Sequence, residues 1–169
     1  MSSEPNTEVI WDPQVAKNEY PTEALKPPNN SLMAKYLTKE LWDKYKDVKS
    51  PTAGWTIAKA VNTGCVNKDS LVGCHAGDIE SYTIFKDFFD PVIEDYHSLK
   101  GKGLQQVTDL DPSKLVGDIE DKSNIKSTRI RTARNLFGFP LNPGGTKETR
   151  LQIQELMKKV FNTLEGDLK

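Results

Sequence analysis

The sequence contains very little cysteine and histidine, which limits the kinds of site that it can build. Two residues of each type occur among 169. Cys65 and Cys74 are too far apart for a CxxC redox pair, and His75 and His97 do not have zinc-finger spacing. We therefore expect free thiols in a reducing compartment and no metal ion held by protein side chains.

Long apolar runs and an excess of one charge are missing as well. No stretch approaches the roughly 18 apolar residues that a membrane-spanning helix needs. The opening residues, MSSEPNTEVIWDPQ, lack the basic start and the apolar segment of a signal peptide. The formal net charge of −1 argues against a face that binds nucleic acid through its phosphates. We expect a cytoplasmic protein that binds neither membranes nor nucleic acid.

Apolar residues make up 36% of the sequence, which is enough for a folded core, and their spacing is mainly helical. Residues 1–28 are rich in proline and predict an extended arm with little helix. Apolar residues then recur every three or four positions, which predicts amphipathic helices within residues 32–48, 56–64 and 79–97. The last segment has the densest set of expected core residues, namely Ile79, Tyr82, Phe85, Phe88 and Phe89.

Local signals mark where these helices begin and end. Thr38, Thr56 and Asp78 can accept hydrogen bonds from the free amides of the turn that follows each of them. Gly64 is expected to stop the second helical segment, and Pro91 is expected to break or kink the third.

The C-terminal third has a different pattern. A short helical turn is predicted with Pro112 in its first position. β-Branched residues alternate over residues 125–132, which predicts a β-strand, and Thr146 can cap a final helix that Gly166 ends. Because one strand and one helix cannot bury each other's apolar faces adequately, this second unit looks unfinished.

The segment STRIRTAR, residues 127–134, concentrates positive charge in a nearly neutral chain. On a strand, Arg129 and Arg131 project from the same face, and two parallel guanidinium groups suit two neighbouring phosphates. The alternative is that these arginines are solvated or paired with acidic neighbours, as charge clusters usually are. Those neighbours are Asp118, Glu120 and Asp121.

The loop DSLVGCHAGD, residues 69–78, predicts the opposite chemistry. Its small residues and its run of backbone amides can bind a carboxylate if the chain folds into a concave nest. Equally, its glycines can simply turn the chain, while His75 is a structural or surface residue and Cys74 a small packed one. The residues alone leave both alternatives open.

Several segments, taken together and in order, resemble the phosphagen (ATP:guanidino) kinase family, and arginine kinases in particular. They are YLTKELWDKYKDVKSPTAGWTI, VGCHAGDIESYTIFKDFFDPVIEDYH, TDLDP, STRIRTARNLFGFPLNP and LEGDL. The resemblance implies an α+β fold, in which a small all-helical N-terminal domain precedes a catalytic domain built on an antiparallel sheet. The implied divisions are an N-terminal arm at 1–28, the helical domain at 29–111, a linker at 112–124, and the opening strand and helix of an incomplete catalytic domain at 125–169.

The resemblance also implies an activity and its site residues. Members transfer the γ-phosphoryl group of MgATP reversibly to a guanidino nitrogen, and Mg²⁺ is held through the nucleotide. The implied nucleotide-binding residues are Ser127, Thr128, Arg129, Ile130 and Arg131. The implied guanidino-specificity loop, whose amides around Leu71, Val72 and Gly73 face the acceptor's carboxylate, consists of Ser70, Leu71, Val72, Gly73, Cys74 and His75.

The length of the loop region predicts the acceptor. Between Gly64 and Val72 the chain is as short as in arginine kinases, and a shorter loop leaves room for a longer guanidino acid, so we expect arginine. Taurocyamine-type and creatine-type kinases are alternatives, as is a non-catalytic docking or anion-binding module of the same ancestry. The family's carboxylates that orient the guanidinium fall beyond Lys169, so we expect no catalytic residue in this chain and negligible activity from it alone. The resemblance allows a monomer or a homodimer.

Overall fold

Helices provide all the regular secondary structure in the part of the chain that the structure, a computed structural model, describes: residues 19–102, 107–117 and 119–166. The α-helices are α1 (Thr22–Leu25), α2 (Leu32–Tyr36), α3 (Lys39–Tyr45), α4 (Ile57–Val66), α5 (Ser81–Ile84), α6 (Lys86–Tyr96) and α7 (Lys147–Phe161). Two 3₁₀ turns lie at Pro112–Lys114 and Asn142–Gly144. Most of the predicted N-terminal arm, residues 1–18, lies outside the described residues, and α1 falls in its remaining part.

The predicted helix starts are confirmed at Thr38, Thr56 and Thr146. In each case the threonine hydroxyl accepts a hydrogen bond at 3.2 Å from the amide three residues later. Such amides have no acceptor within the helix, so a polar side chain at this position stabilises the first turn. The turn predicted with Pro112 in its first position is also confirmed.

Two predicted helix ends are wrong. α4 continues past Gly64 to Val66, and α7 ends at Phe161, before Gly166. Gly64 lies instead at a close approach between elements, because a Cβ atom there would come within 2.5 Å of the Met33 side chain. The missing side chain of Gly64 therefore serves packing and does not end the helix.

The third helical segment is interrupted, but not where proline predicts. α6 runs through Pro91 without ending there. The interruption falls at Phe85, whose backbone angles (φ −101°, ψ 32°) separate α5 from α6. Phe85 is fully buried, so the interruption lies where its side chain packs into the core.

Of the core residues predicted in the third helical segment, the three phenylalanines are confirmed, whereas Ile79 and Tyr82 are wrong. Phe85, Phe88 and Phe89 are at most 3% exposed, whereas Ile79 is 73% and Tyr82 43% exposed. Ile79 lies in the turn before α5, where helical periodicity does not apply. Side chains from α2, α3 and α4 complete the core, and those with no exposed surface include Met33, Trp42, Ile57 and Val61. Each contributes about 1.5–3 kcal/mol by its burial.

Two neighbouring helices are tied to α6 by the same arrangement of side chains. Lys35 Nζ lies 2.6 Å from Asp95 Oδ2, and the adjacent Tyr36 hydroxyl donates to the same oxygen at 3.0 Å. The Tyr45 hydroxyl donates to Asp87 Oδ2 at 2.9 Å in the corresponding contact from α3. These contacts fix the rotation of α2 and α3 against α6.

The β-strand predicted at residues 125–132 is not formed. Residues 107–117 and 119–134 are exposed throughout, and no strand occurs anywhere in the described ranges. A strand is stable only when another strand pairs with its backbone, so this segment has the composition of a strand without the partner. The α+β prediction is therefore confirmed for the helical domain alone. The domain boundaries after residues 28, 111 and 124 stay predictions.

α7 carries the predicted apolar stripe, but the described residues leave that stripe uncovered. Its exposed members are Leu151, Leu156, Val160 and Phe161, between 40% and 57% exposed.

None of the helices in the described ranges combines the length and the hydrophobicity that a membrane crossing needs.

Candidate functional site

The predicted guanidino loop, residues 70–75, is held against the N-terminus of α2. The first two amides of α2, those of Leu32 and Met33, donate to the carbonyl oxygens of Leu71 at 3.1 Å and Val72 at 2.9 Å. Amides in a first helical turn have no acceptor within the helix, so the loop carbonyls satisfy them. Consecutive loop carbonyls therefore face the helical domain.

Gly73 lets the loop pass close to α2. Its φ of +78° is a conformation that side chains other than glycine rarely adopt, and a Cβ atom would meet Ser31 at 2.8 Å. The Gly73 amide donates to Ser70 Oγ at 3.1 Å, and the Gly73 carbonyl accepts from the Gly64 amide at 2.7 Å. The middle of the loop is thus fixed to both α2 and α4.

Leu71 and Val72 present two successive backbone amides that have no acceptor among the described residues. Neither donates a hydrogen bond to any residue in the described ranges, and the Leu71 residue is 69% exposed. Since their carbonyls are held by α2, these two amides are presented by a fixed backbone. Successive free amides of this kind form an anion-binding concavity.

The two cysteines are packed residues. Cys65 is 7% exposed and Cys74 8% exposed, and neither forms a disulfide. Burial raises the pKa of both thiols to about 12. Because the thiolate is the nucleophilic form, Cys74 is suited to packing and not to covalent chemistry.

Asp78 anchors the C-terminal end of the loop. Its carboxylate is 1% exposed and accepts from the Ser81 amide and the Ala53 amide, both at 2.9 Å, and from the Ser50 and Ser81 hydroxyls. Burial acts to raise the pKa of Asp78, but these hydrogen bonds outweigh it and hold the pKa below its usual value of 3.8. Asp78 therefore caps the turn before α5, as predicted, and is ionised at neutral pH.

A cavity of about 300 Å³ opens beside the loop. Its walls come from residues 72 and 74–76, from Tyr82 and the apolar side of α6, and from the segment around Asn135 and Leu141. That segment docks on the loop because the Leu141 amide donates to the Gly77 carbonyl at 2.9 Å. Its walls contain no carboxylate, lysine or arginine, and their titratable side chains are those of His75, Tyr82 and Cys74.

The arginine segment is not part of this cavity. Ser127, Thr128, Arg129, Ile130 and Arg131 are all exposed, and neither arginine lines the cavities described in the structure. Neither arginine has an ion pair with a described residue, and Asp118 lies outside the described ranges. The structure therefore does not bring the predicted nucleotide residues and the predicted loop together, and their nucleotide role stays a prediction.

Sequence reasoning missed the groups that complete the site. Tyr82 was expected in the core, yet it lies at the cavity wall. Asn135 and Leu141 gave no signal, because their position depends on the contact with Gly77. Among the described residues, no group of three metal-binding side chains comes close enough together to hold an ion.

Comparison with known proteins shows which proteins the chain is similar to. The family described as "ATP:guanido phosphotransferase, N-terminal domain" matches residues 27–94. An arginine kinase from Stichopus japonicus is 41% identical over 141 residues, 83% of this chain and 38% of the relative. An arginine kinase from Schistocerca americana is 39% identical over 148 residues, again 83% of this chain and 40% of the relative.

Solved structures show the same likeness. A duplicated taurocyamine kinase from Schistosoma mansoni with bound transition state analog components has a TM-score of 0.74 at 30% identity, over 88% of this chain and 21% of that one. A lombricine kinase has a TM-score of 0.73 at 33% identity, over 83% of this chain and 39% of that one. Residues 27–94 match the N-terminal domain of the ATP:guanido phosphotransferase family, the phosphagen kinases. It spans about two fifths of the length of the curated arginine kinases that it matches.

Proposed function

We propose that this chain is the acceptor-binding part of an ATP:guanidino phosphotransferase, which transfers the γ-phosphoryl group of MgATP reversibly to a guanidino nitrogen of arginine. The observation that carries the proposal is the pair of free amides at Leu71 and Val72. A fixed backbone presents them, and they can bind the acceptor's acid group. They lie in the loop that also forms a wall of the 300 Å³ cavity.

The assignment of arginine as acceptor has two supports. The loop region between Gly64 and Val72 has the short length seen in arginine kinases, and relatives named arginine kinase are 38–42% identical to the chain. Taurocyamine, lombricine and creatine are the competing acceptors, because structural neighbours named for the first two share this fold.

The nucleotide side of the proposal rests on Ser127 through Arg131. Two exposed guanidinium groups without ion pairs to described residues can neutralise the charge of MgATP. The Mg²⁺ ion is held through the nucleotide. The cavity has no carboxylate to orient a guanidinium group and no lysine or arginine to meet a phosphate. We therefore expect the chain alone to form negligible phosphoarginine, in the cytoplasm or in a test tube.

One observation favours a second candidate, a non-catalytic module that binds an anionic partner through Arg129 and Arg131. Both side chains are exposed and lie outside the cavities described here. Such a module needs no acceptor, so the two candidates differ in whether the loop binds a guanidino acid.

A chimaera separates the two candidates. The matching N-terminal part of the Stichopus japonicus arginine kinase is replaced by this chain, and transfer to arginine, creatine, glycocyamine, taurocyamine and lombricine is measured in a coupled assay. We expect transfer, with arginine preferred. A second chimaera exchanges only residues 70–75, so that a failure of the larger exchange to fold does not decide the result.

Folding of both chimaeras is checked by circular dichroism and by ATP binding. A folded, ATP-binding chimaera that phosphorylates none of the five acceptors contradicts the proposal. A preference for taurocyamine or creatine contradicts the assignment of arginine and leaves the reaction class intact.

A further inference from the structure

His75 is fixed more firmly than an exposed loop residue usually is. Its amide donates to the Ala60 carbonyl at 2.9 Å, and its carbonyl accepts from Trp55 Nε1 at 3.0 Å. Its ring is held as well, since Nδ1 lies 2.9 Å from Thr63 Oγ1 on α4. Both peptide groups and one ring nitrogen therefore have defined partners, although the residue as a whole is exposed.

The remaining polar atom of His75 is Nε2. This nitrogen has no hydrogen bond to any residue in the described ranges, and His75 forms part of the cavity wall. The two nitrogens of an imidazole point in diverging directions, so a ring whose Nδ1 is held by α4 turns Nε2 away from that helix. The contact at Thr63 therefore decides where Nε2 is placed.

The partner of Nδ1 also decides which nitrogen carries the proton. A threonine hydroxyl can donate or accept. If the Thr63 hydroxyl donates to Nδ1, the neutral ring carries its proton on Nε2, which is then a donor. If it accepts, Nε2 is an acceptor and repels an acid group.

We propose that Thr63 is a positioning residue: its hydroxyl donates to His75 Nδ1 and keeps a proton on Nε2, which donates to the acid group of the guanidino acceptor. This inference rests on the proposed function. The amides of Leu71 and Val72 supply two donors from the same loop, and the cavity walls contain no lysine or arginine to meet the acid group. A proton held on Nε2 therefore adds a third donor for an anionic end group at this position.

The test uses nitrogen-15 NMR of the imidazole rings in the chain itself. The sequence has two histidines, so His97 serves as an internal reference. At mildly alkaline pH, long-range proton–nitrogen correlations distinguish the two neutral tautomers of each ring. We expect His75 to be almost entirely in the Nε2–H form. Thr63→Val, which keeps the branched shape and removes the hydroxyl, abolishes that preference, while Thr63→Ser retains it and His97 does not change.

A second experiment measures acceptor binding by titrating each variant with arginine, which has a carboxylate, and with taurocyamine, which has a sulfonate. We expect Thr63→Val to weaken binding of the recognised acceptor about three- to tenfold, the effect of one hydrogen bond, and Thr63→Ser to bind as the unsubstituted chain does. The acceptor with the larger loss identifies which acid group Nε2 contacts.

Three results overturn the inference. An unchanged His75 tautomer in Thr63→Val, or an Nδ1–H form in the unsubstituted chain, contradicts the assigned donor. Equal acceptor binding by Thr63→Val and Thr63→Ser contradicts the role of Thr63 and leaves the proposed function standing. If neither acceptor shifts any loop amide of the unsubstituted chain, the proposed function fails as well. The tautomer measurement needs no acceptor, so it tests the contact between Thr63 and His75 separately.

Discussion

Asp78 shows how one buried carboxylate holds the end of the loop at residues 69–78. It links the turn at Ala53, the start of α5 and the loop through four hydrogen bonds, and it is 1% exposed. The aspartate was predicted from its place before a helical pattern. Its second set of partners, at Ser50 and Ala53, could not be predicted, because they lie at least 25 residues earlier in the chain.

We expect Asp78→Asn to lower the free energy of unfolding by about 2–4 kcal/mol at pH 7, because an amide group cannot accept all four hydrogen bonds. The pKa of Asp78 is lowered by folding, so its contribution is present above the usual value of 3.8 and is lost as pH falls through the lower folded-state pKa. The difference between the two proteins should therefore shrink below about pH 4. Urea unfolding at pH 7 and pH 3 measures it.

Asp43→Asn is the matched control for this prediction, since Asp43 pairs with Lys39 on an exposed surface. Its substitution should change stability little. Equal effects of the two substitutions, or a difference that does not depend on pH, would contradict the role given to Asp78.

The thiols give a second test of side-chain environment. Burial raises the pKa of Cys65 and Cys74 to about 12, so almost no thiolate is present at pH 8. In the folded chain we expect both to react with a disulfide reagent far more slowly than glutathione does, and both to react rapidly in denaturant. Fast reaction of Cys74 in the folded chain would show an open loop.

Helix starts were predictable and helix ends were not. An N-cap is local chemistry between a side chain and the next turn, so Thr38, Thr56 and Thr146 were identified correctly. Gly64 looks like a helix end in the sequence, yet its role is set by Gly73 and Met33, which the sequence does not place nearby. The strand at residues 125–132 failed for the same reason, since pairing depends on a distant partner.

Two phenylalanines on helices test how the helical domain is stabilised. Phe88 on α6 has no exposed surface, whereas Phe161 at the end of α7 is 57% exposed. We expect Phe88→Ala to cost about 3–5 kcal/mol and Phe161→Ala to stay within about 0.5 kcal/mol. Thermal or urea unfolding of the two variants checks this, and a large loss for Phe161→Ala would show that α7 packs on a surface in solution.

The chain as a unit joins a well-packed helical domain to a segment with few contacts. The candidate site reflects that division, because the loop at residues 70–75 is fixed by α2 and α4 while residues 127–131 are exposed. The site role of residues 70–75 comes from the resemblance to phosphagen kinases and stays a prediction. The Thr63 contact and the docking of Leu141 on Gly77 could not, because both join segments that only the fold brings together.

The central claim, that the loop binds the acid group of a guanidino acceptor, is tested most directly by comparing arginine with agmatine, which is arginine without its carboxylate. Backbone amide NMR of the nitrogen-15-labelled chain follows both titrations into the millimolar range, where weak complexes with binding free energies of about −4 kcal/mol are populated. We predict that arginine shifts the amides of Leu71 and Val72 and that agmatine leaves them in place. Equal shifts from both compounds, or none from arginine, would contradict the account.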